Sequence, residues 1–189
     1  MNQDAVLDLF RQSGALLEGH FRLSSGLHSN RYLQSARVLQ HPEFATALGA
    51  ALAERIRHLG ATVIISPALG GIVIGQEVGR ALGVRAIFAE RQDGQLLLRR
   101  GFTMASSDRA VVVEDVITTG GSTLETMEVA KATGAGVVGA AAIIDRGDDP
   151  ARIGIPLYAL VKLDVPTYEP ESCPLCGKGE PVVKPGSRA

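Results

Sequence analysis

The stretch Val111–Thr123 reads VVVEDVITTGGST, and its reading decides the architecture. Val111, Val112 and Val113 form a β-branched run of the kind that fills a central strand buried on both faces, as a parallel sheet requires. Glu114 and Asp115 then fall at the carboxyl end of that strand, the edge at which open α/β sheets bind ligands. Val116 and Ile117 lead into the loop Thr118, Thr119, Gly120, Gly121, Ser122 and Thr123, and LETMEVAKATG behind it places Leu124 and Met127 at helical spacing. Glycines let backbone N–H groups approach a phosphate, and the following helix N-terminus adds a favourable dipole. Val111–Thr123 contains neither the G-x-x-x-x-G-K-[ST] of a nucleotide P-loop nor the G-x-G-x-x-G of a dinucleotide fold. Two acids beside a phosphate cradle suit a hydroxylated or electron-poor group such as a ribose ring, so the string reads as a holder for a phosphorylated sugar.

Outward from this strand, helices and strands alternate. Helices are expected over Gln3–Gln12, over Pro42–Leu59 with Gly60 as its stop, from about Gly71 to Leu82, and over Ser122–Thr133. Strands are expected over Thr62–Ser66, Val84–Ala89, Ala110–Glu114, Val137–Ile144 and Leu157–Leu163. This order predicts an α/β fold with a doubly wound, mostly parallel sheet in a single domain over residues 1–189. Glu18–Gln40 departs from that pattern: Phe21 and Leu23 alternate with polar residues, Ser24-Ser25-Gly26 can turn, and Tyr32 lies on the return. A small N-terminal hairpin outside the main sheet is expected there.

Three loops share the predicted ligand edge. SPALGG (Ser66–Gly71) places glycines before a helix, so its amides can cradle a second anion or simply make a tight turn. AAAIIDRG (Ala140–Gly147) ends a strand with Asp145 and Arg146, and the Arg fork can pair with a carboxylate or carbonyl of a planar anion. AERQDGQLLLRRGF (Ala89–Phe102) carries the turn signal Asp93-Gly94 with Arg91, Arg99 and Arg100 around it.

The formal net charge of -1 gives no basic footprint for nucleic acid, and no apolar run reaches membrane-spanning length. The N-terminal MNQDAVLDLF carries acids where a signal peptide would be basic, so a soluble cytoplasmic protein is expected. Trp is absent and aromatics are 4% of residues, which leaves the core to Ala, Val, Leu and Ile. The tail from 166 to 189 shifts toward Pro, Gly and Ser, and its Cys173 and Cys176 are the only cysteines. One C-x-x-C pair is half a zinc site unless a nearby His or a second subunit completes it. His20, His28, His41 and His58 show no ligand spacing, so the sequence assigns no metal ligands; a structural turn or free thiols is the reading preferred, with His28 the histidine to watch.

Val111–Thr123 closely resembles the ribose-phosphate signature of the type I phosphoribosyltransferases, which use 5-phosphoribosyl 1-diphosphate (PRPP). FRLSSGLHSNRYL resembles the N-terminal hood of the orotate-specific members, which covers the base. The resemblance implies transfer of ribose 5-phosphate from PRPP to orotate, giving orotidine 5′-monophosphate and pyrophosphate in pyrimidine synthesis. It implies that Glu114 and Asp115 serve the ribose and the chemistry, and that Val116, Ile117, Thr118, Thr119, Gly120, Gly121 and Ser122 form the phosphate site. Thr118 and Arg146 match residues that touch orotate, and Arg91 matches the Arg of a mobile loop that closes over PRPP, often in the neighbouring subunit of a dimer. Mg²⁺ is the implied cofactor. Two departures stand out: Gly70 occupies a position where many members carry Lys, and Gln92 and Gln95 lie where the loop's Lys and His are familiar. A purine-base phosphoribosyltransferase or a non-catalytic PRPP-sensing regulator are the alternative functions.

Overall fold

The computed structural model describes residues 1–23, 25–149 and 151–185. Its elements are α1 (Gln3–Gln12), β1 (Leu16–Arg22), β2 (His28–Leu33), α2 (Ser35–Leu39), α3 (Pro42–Ile56), β3 (Val63–Pro67), α4 (Gly71–Leu82), β4 (Arg85–Gln92), β5 (Gln95–Leu98), β6 (Arg109–Ile117), α5 (Gly121–Ala132), β7 (Gly136–Asp145), β8 (Leu157–Lys162), β9 (Thr167–Tyr168) and α6 (Pro174–Gly177). The main sheet has the order β5-β4-β3-β6-β7-β8, parallel except for β5.

Alternation along the strands feeds two cores. Ile64, Val111 and Val113 pack on one side with Leu48, Leu52 and Ile56 of α3 and Ile74 of α4, while Val63, Ile65 and Val112 pack on the other with Met127 and Ala130 of α5. Successive strand residues face opposite ways, so a sheet covered on both sides needs continuous β-branched runs rather than an alternating pattern. At α3 the helix stops at Ile56, and Arg57–Leu59 tighten into a 3₁₀ turn before Gly60 adopts φ 61°. The predicted stop at Gly60 therefore holds, with the last turn overwound.

The chain winds from β3 through α4 to β4 on one side and from β6 through α5 to β7 on the other. Strand order reverses between β3 and β6, and a crevice opens where loops leave in opposite directions. Strand β6 runs to Ile117, three residues past the predicted end at Glu114, because β7 continues to pair with it through Ile117↔Asp145. On its other side the β3 ladder ends at Val112. Glu114 and Asp115 thus lie inside the strand, at the point where it has outrun one neighbour.

The hood is larger than a hairpin. Strands β1 and β2 pair antiparallel, and β9 from the carboxyl-terminal segment adds a third strand through His28↔Tyr168 and Ser29↔Thr167. Of the predicted turn Ser24-Ser25-Gly26, Ser24 lies outside the described residues, as do residues 186–189 of the tail. Between β4 and β5 the connection is only Asp93 and Gly94, with φ of 50° and 85°. That matches the two-residue hairpin turn that positive φ at both positions allows. The segment that the resemblance implies to be a mobile loop is paired as a β4–β5 hairpin at the sheet edge.

Candidate active site

A cleft of about 530 Å³ sits at the reversal point, lined by Leu69 and Gly70 after β3, by Asp115, Val116 and Thr118, by Arg146 after β7, and by α2. A second cavity of about 790 Å³ opens beneath the hood, where Tyr32, Leu33, Thr118 and Arg146 meet. Leu33, Thr118 and Arg146 line both, so the two form neighbouring compartments of one site. A niche of about 70 Å³ lies under the β6–α5 loop, walled by Glu114 and Val116 through Thr123.

That niche is shaped by the loop backbone. Gly120 has φ 83°, which an L side chain rarely adopts, and a Cβ there would stand 2.6 Å from Ile153 Cγ2. Only glycine fits that path, which turns the chain into α5 directly after the niche. Helix α5 begins at Gly121, one residue before its predicted start, so the loop leads without interruption into the amino end of a three-turn helix. The N–H groups of such a terminus and its dipole favour an anion.

The adjacent carboxylates have different surroundings. Asp115 is half-buried and lines the cleft; a Cβ on Gly70 would stand 2.8 Å from Asp115 Oδ1. A side chain at position 70 would have to displace that carboxylate or pair with it. Glu114 points the other way, is 8% exposed, and accepts a hydrogen bond from the Thr123 hydroxyl of α5. Burial pushes its carboxyl up from the ordinary 4.5 to about 7, against the opposing Thr123 bond and with help from the neighbouring Asp115 charge.

This shift has a measurable consequence for stability. Both folded and unfolded chains hold the Glu114 proton below about pH 4.5; as pH rises toward 7 the unfolded chain ionises first, so the folded state loses about 3 kcal/mol by pH 8. Glu114→Gln cannot ionise. Its stability advantage over the parent is therefore expected to grow between pH 4.5 and 7 and then level off, as read from thermal midpoints across that range. A pH-independent difference would refute the raised pKa.

Arg146 is the second polarised group. Its backbone N–H donates to Ile117 O at 2.8 Å, tying it to the end of β6. Its side-chain Nε is buried with no hydrogen-bond partner, and burial pulls its pKa below the ordinary guanidinium value. Ser35 Oγ, also on the cleft, is likewise buried and unpartnered. Buried polar atoms are nearly always bonded, so unmatched donors on a cavity wall mark where a ligand's acceptors belong.

Sequence reasoning missed the braces behind this wall. Asp145 accepts from Gly147 N at 2.9 Å and from Lys162 Nζ at 3.1 Å, and forms an ion pair with Arg152. Burial alone would raise its pKa, but the Gly147 amide, Lys162 and Arg152 together hold it below the ordinary carboxylate value. Arg152 Nε also donates to Thr118 O at 2.8 Å, bracing the phosphate loop from the β7 side. Asp145 beside Arg146 was visible at the strand end; its pairing with Arg152 and Lys162 depends on how the β7–β8 connection folds back and carried no local signal.

Arg91 stands apart. It lines none of these three cavities, and its Nη2 pairs with Glu125 Oε2 of α5 at 2.8 Å, both side chains 46% exposed. The structure thus brings Glu114 through Ser122 and Arg146 together and leaves Arg91 outside.

A glycine-bounded niche, a carboxylate at the cleft and an arginine with an unpartnered Nε lie together at a strand reversal of a doubly wound sheet. Residues 34–169 match the phosphoribosyl transferase domain, and the chain belongs to that family. Within it the full-length curated relatives are orotate phosphoribosyltransferases. The one from Heliobacterium modesticaldum is 53% identical over 190 residues, covering 100% of both chains. The one from Desulforamulus reducens is 50% identical over 188 residues, covering 100% of this chain and 98% of that one. Among solved structures, orotate phosphoribosyltransferase from Aeropyrum pernix superposes with a TM-score of 0.66 at 26% identity, covering 82% of this chain and 92% of that one. The Mycobacterium tuberculosis enzyme in complex with PRPP gives 0.67 at 24% identity, covering 82% and 93%.

Proposed function

We propose that this chain transfers ribose 5-phosphate from PRPP to orotate, releasing pyrophosphate and orotidine 5′-monophosphate. The observation that carries the choice of acceptor is the buried, unpartnered Nε of Arg146 at the junction of the cleft and the hood cavity. Orotate is a planar anion with a carboxylate beside a carbonyl, the pattern an arginine fork pairs with. Thr118, leaving the neighbouring strand end beside it, would add a hydroxyl.

In this reading the loop from Thr118 to Ser122 holds the 5′-phosphate, with Val116 and Ile117 fixing the strand end beneath it. Orotate's ring nitrogen attacks the anomeric carbon as the bond to pyrophosphate breaks, and the ribose acquires oxocarbenium character, as in glycoside chemistry. Asp115 faces the ribose and supplies the negative field that favours the developing cation, while Glu114, turned the other way, acts from beneath the loop through its bond with the Thr123 hydroxyl. The carboxylate oxygens of Asp115 are hard donors in the cleft, the type Mg²⁺ takes together with substrate phosphates. Bound with PRPP, Mg²⁺ would neutralise the charge of the leaving diphosphate.

The proposal extends to a cytoplasmic homodimer with a shared site. No helix among the described residues is long and apolar enough to cross a membrane. Leu97 on β5 and Leu124 on α5 are exposed and flank an apolar groove of about 680 Å³ beside Arg91's hairpin, which supports a second copy seating there. The Arg91–Glu125 pair is a surface ion pair worth at most about 1 kcal/mol, so Arg91 can leave it for substrate at little cost. Arg91→Ala is expected to raise the KM for PRPP at least tenfold while leaving the thermal midpoint unchanged. Parental steady-state constants would remove Arg91 from the site.

Pyrophosphate release on mixing the protein with PRPP, Mg²⁺ and a base is the direct test. Release with orotate and none with adenine, guanine or xanthine is the expected pattern. A purine preference would replace the acceptor, and binding of PRPP without release would indicate a sensor.

A further inference from the structure

We propose that His20, His28, Cys173 and Cys176 form a structural zinc site that clamps the carboxyl-terminal segment onto the hood. The histidines come from β1 and β2, Cys173 is the N-cap of the short helix α6, and Cys176 lies within it. Their ligand atoms all lie within 4.8 Å of one another. Residues with no ligand spacing in sequence are thus gathered by the hood's antiparallel pairing and by the return of the tail over it. The half site legible in the CPLC pair is completed within the same chain.

The separations suit one tetrahedral ion. Zinc bonds of about 2.0 to 2.1 Å to nitrogen and 2.3 Å to sulfur require ligand atoms about 3.3 Å apart for N and N, and about 3.6 Å for N and S. Cys173 Sγ and Cys176 Sγ lie 3.6 and 3.7 Å from His20 Nε2, and Cys176 Sγ lies 3.3 Å from His28 Nδ1. His20 Nε2 and His28 Nδ1 are 2.8 Å apart, so seating the ion spreads this pair by about half an ångström. The other nitrogen of His20, Nδ1, lies 2.8 Å from Glu180 O. Donation to that carbonyl fixes the tautomer that leaves Nε2 free to ligate, the usual support behind a metal-bound histidine.

The donor set selects the metal. Two thiolates and two imidazoles suit zinc and exclude the hard ions that carboxylates and phosphates hold. Binding releases the two thiol protons, and two thiolates balance the charge of Zn²⁺. Four protein ligands leave no open position, so the ion is structural rather than catalytic. Its place in the fold fits that role. The tail already joins the hood through β9, through Val183 N to His20 O at 2.8 Å and through Arg22 N to Val183 O at 2.9 Å. His20, His28 and Cys173 are buried at this seam, where Phe21 is the one large apolar side chain buried on β1 or β2. A metal there supplies cohesion that a small sheet lacks.

The test uses the full-length protein, produced without added zinc and purified without immobilised metal. Elemental analysis is expected to find about one zinc per chain, and Cys173→Ser/Cys176→Ser about a tenth of that or less. Independently of that variant's folding, the reduced parental protein stripped with chelator and given Co²⁺ is expected to show the visible bands of tetrahedral cobalt and a thiolate-to-cobalt charge-transfer band. The absence of zinc together with an absent tetrahedral spectrum would overturn the site, as would an intact zinc content in the double variant. A Cys173–Cys176 disulfide in the isolated protein, two mass units lighter, would also overturn it. None of these readings depends on orotate or PRPP, so they stand or fall apart from the catalytic proposal.

Discussion

Asp115→Asn is expected to lower kcat by about 10² to 10³-fold, in the range seen when one preorganised group facing developing charge is removed. The substitution keeps shape and removes only the charge. None of the ion pairs among the described residues uses Asp115. It is half-buried, lines the cleft, and occupies the space that a side chain at Gly70 would enter. Folding therefore gains little from its charge, and the thermal midpoint is expected to stay within about 2 °C of the parent. Glu114 provides the internal contrast. With its pKa near 7 it is about half protonated at neutral pH, so Glu114→Gln removes only part of a charge there. The loss from Glu114→Gln should grow as pH rises through about 7. Unchanged turnover in Asp115→Asn would remove the carboxylate from the chemistry.

What could be read from the sequence followed the range of the signals. Val111–Val113 announces a strand because burial on both faces needs a continuous apolar run, and the TTGGST loop announces its own turn through glycine. Helices Gln3–Gln12 and Gly71–Leu82 carry their periodicity and stops within themselves, and the structure gives the same limits. The extension of β6 to Ile117 was not legible, because it depends on pairing with β7 and carries no local mark. Helix α2 is only five residues long, too short to show a period, yet it forms one wall of the cleft. The gathering of His20 and His28 with the tail cysteines joins residues about 150 positions apart in sequence, and the Arg152–Asp145 brace closes across an irregular loop that carries no periodic signal. The resemblance named the β4–β5 region as a mobile loop, while Asp93-Gly94 itself signalled the tight hairpin that is found.

Arg146→Ala is expected to raise the KM for orotate by about 10² to 10⁴-fold with little change in the KM for PRPP, since a bidentate pairing to an anion contributes two charge-assisted hydrogen bonds of about 1.5 to 3 kcal/mol each. Arg146→Lys should recover only a small part, because an ammonium cannot reproduce the planar fork. A second readout separates recognition from scaffolding. In the unliganded chain Arg146 Nε is a buried donor with no partner, and its burial already lowers the pKa, so the side chain costs the fold free energy until a ligand arrives. Removing it should leave the thermal midpoint unchanged or raise it, whereas removing a structural arginine such as Arg152, which braces Thr118 and pairs with Asp145, should lower it. The acceptor itself gives the sharpest discrimination. Uracil presents the same ring without the carboxylate, so the parent should prefer orotate strongly and Arg146→Ala should lose most of that preference. If the variant keeps the parental ratio of kcat/KM for orotate over uracil, the carboxylate is read elsewhere and Arg146 is not the residue that selects the base.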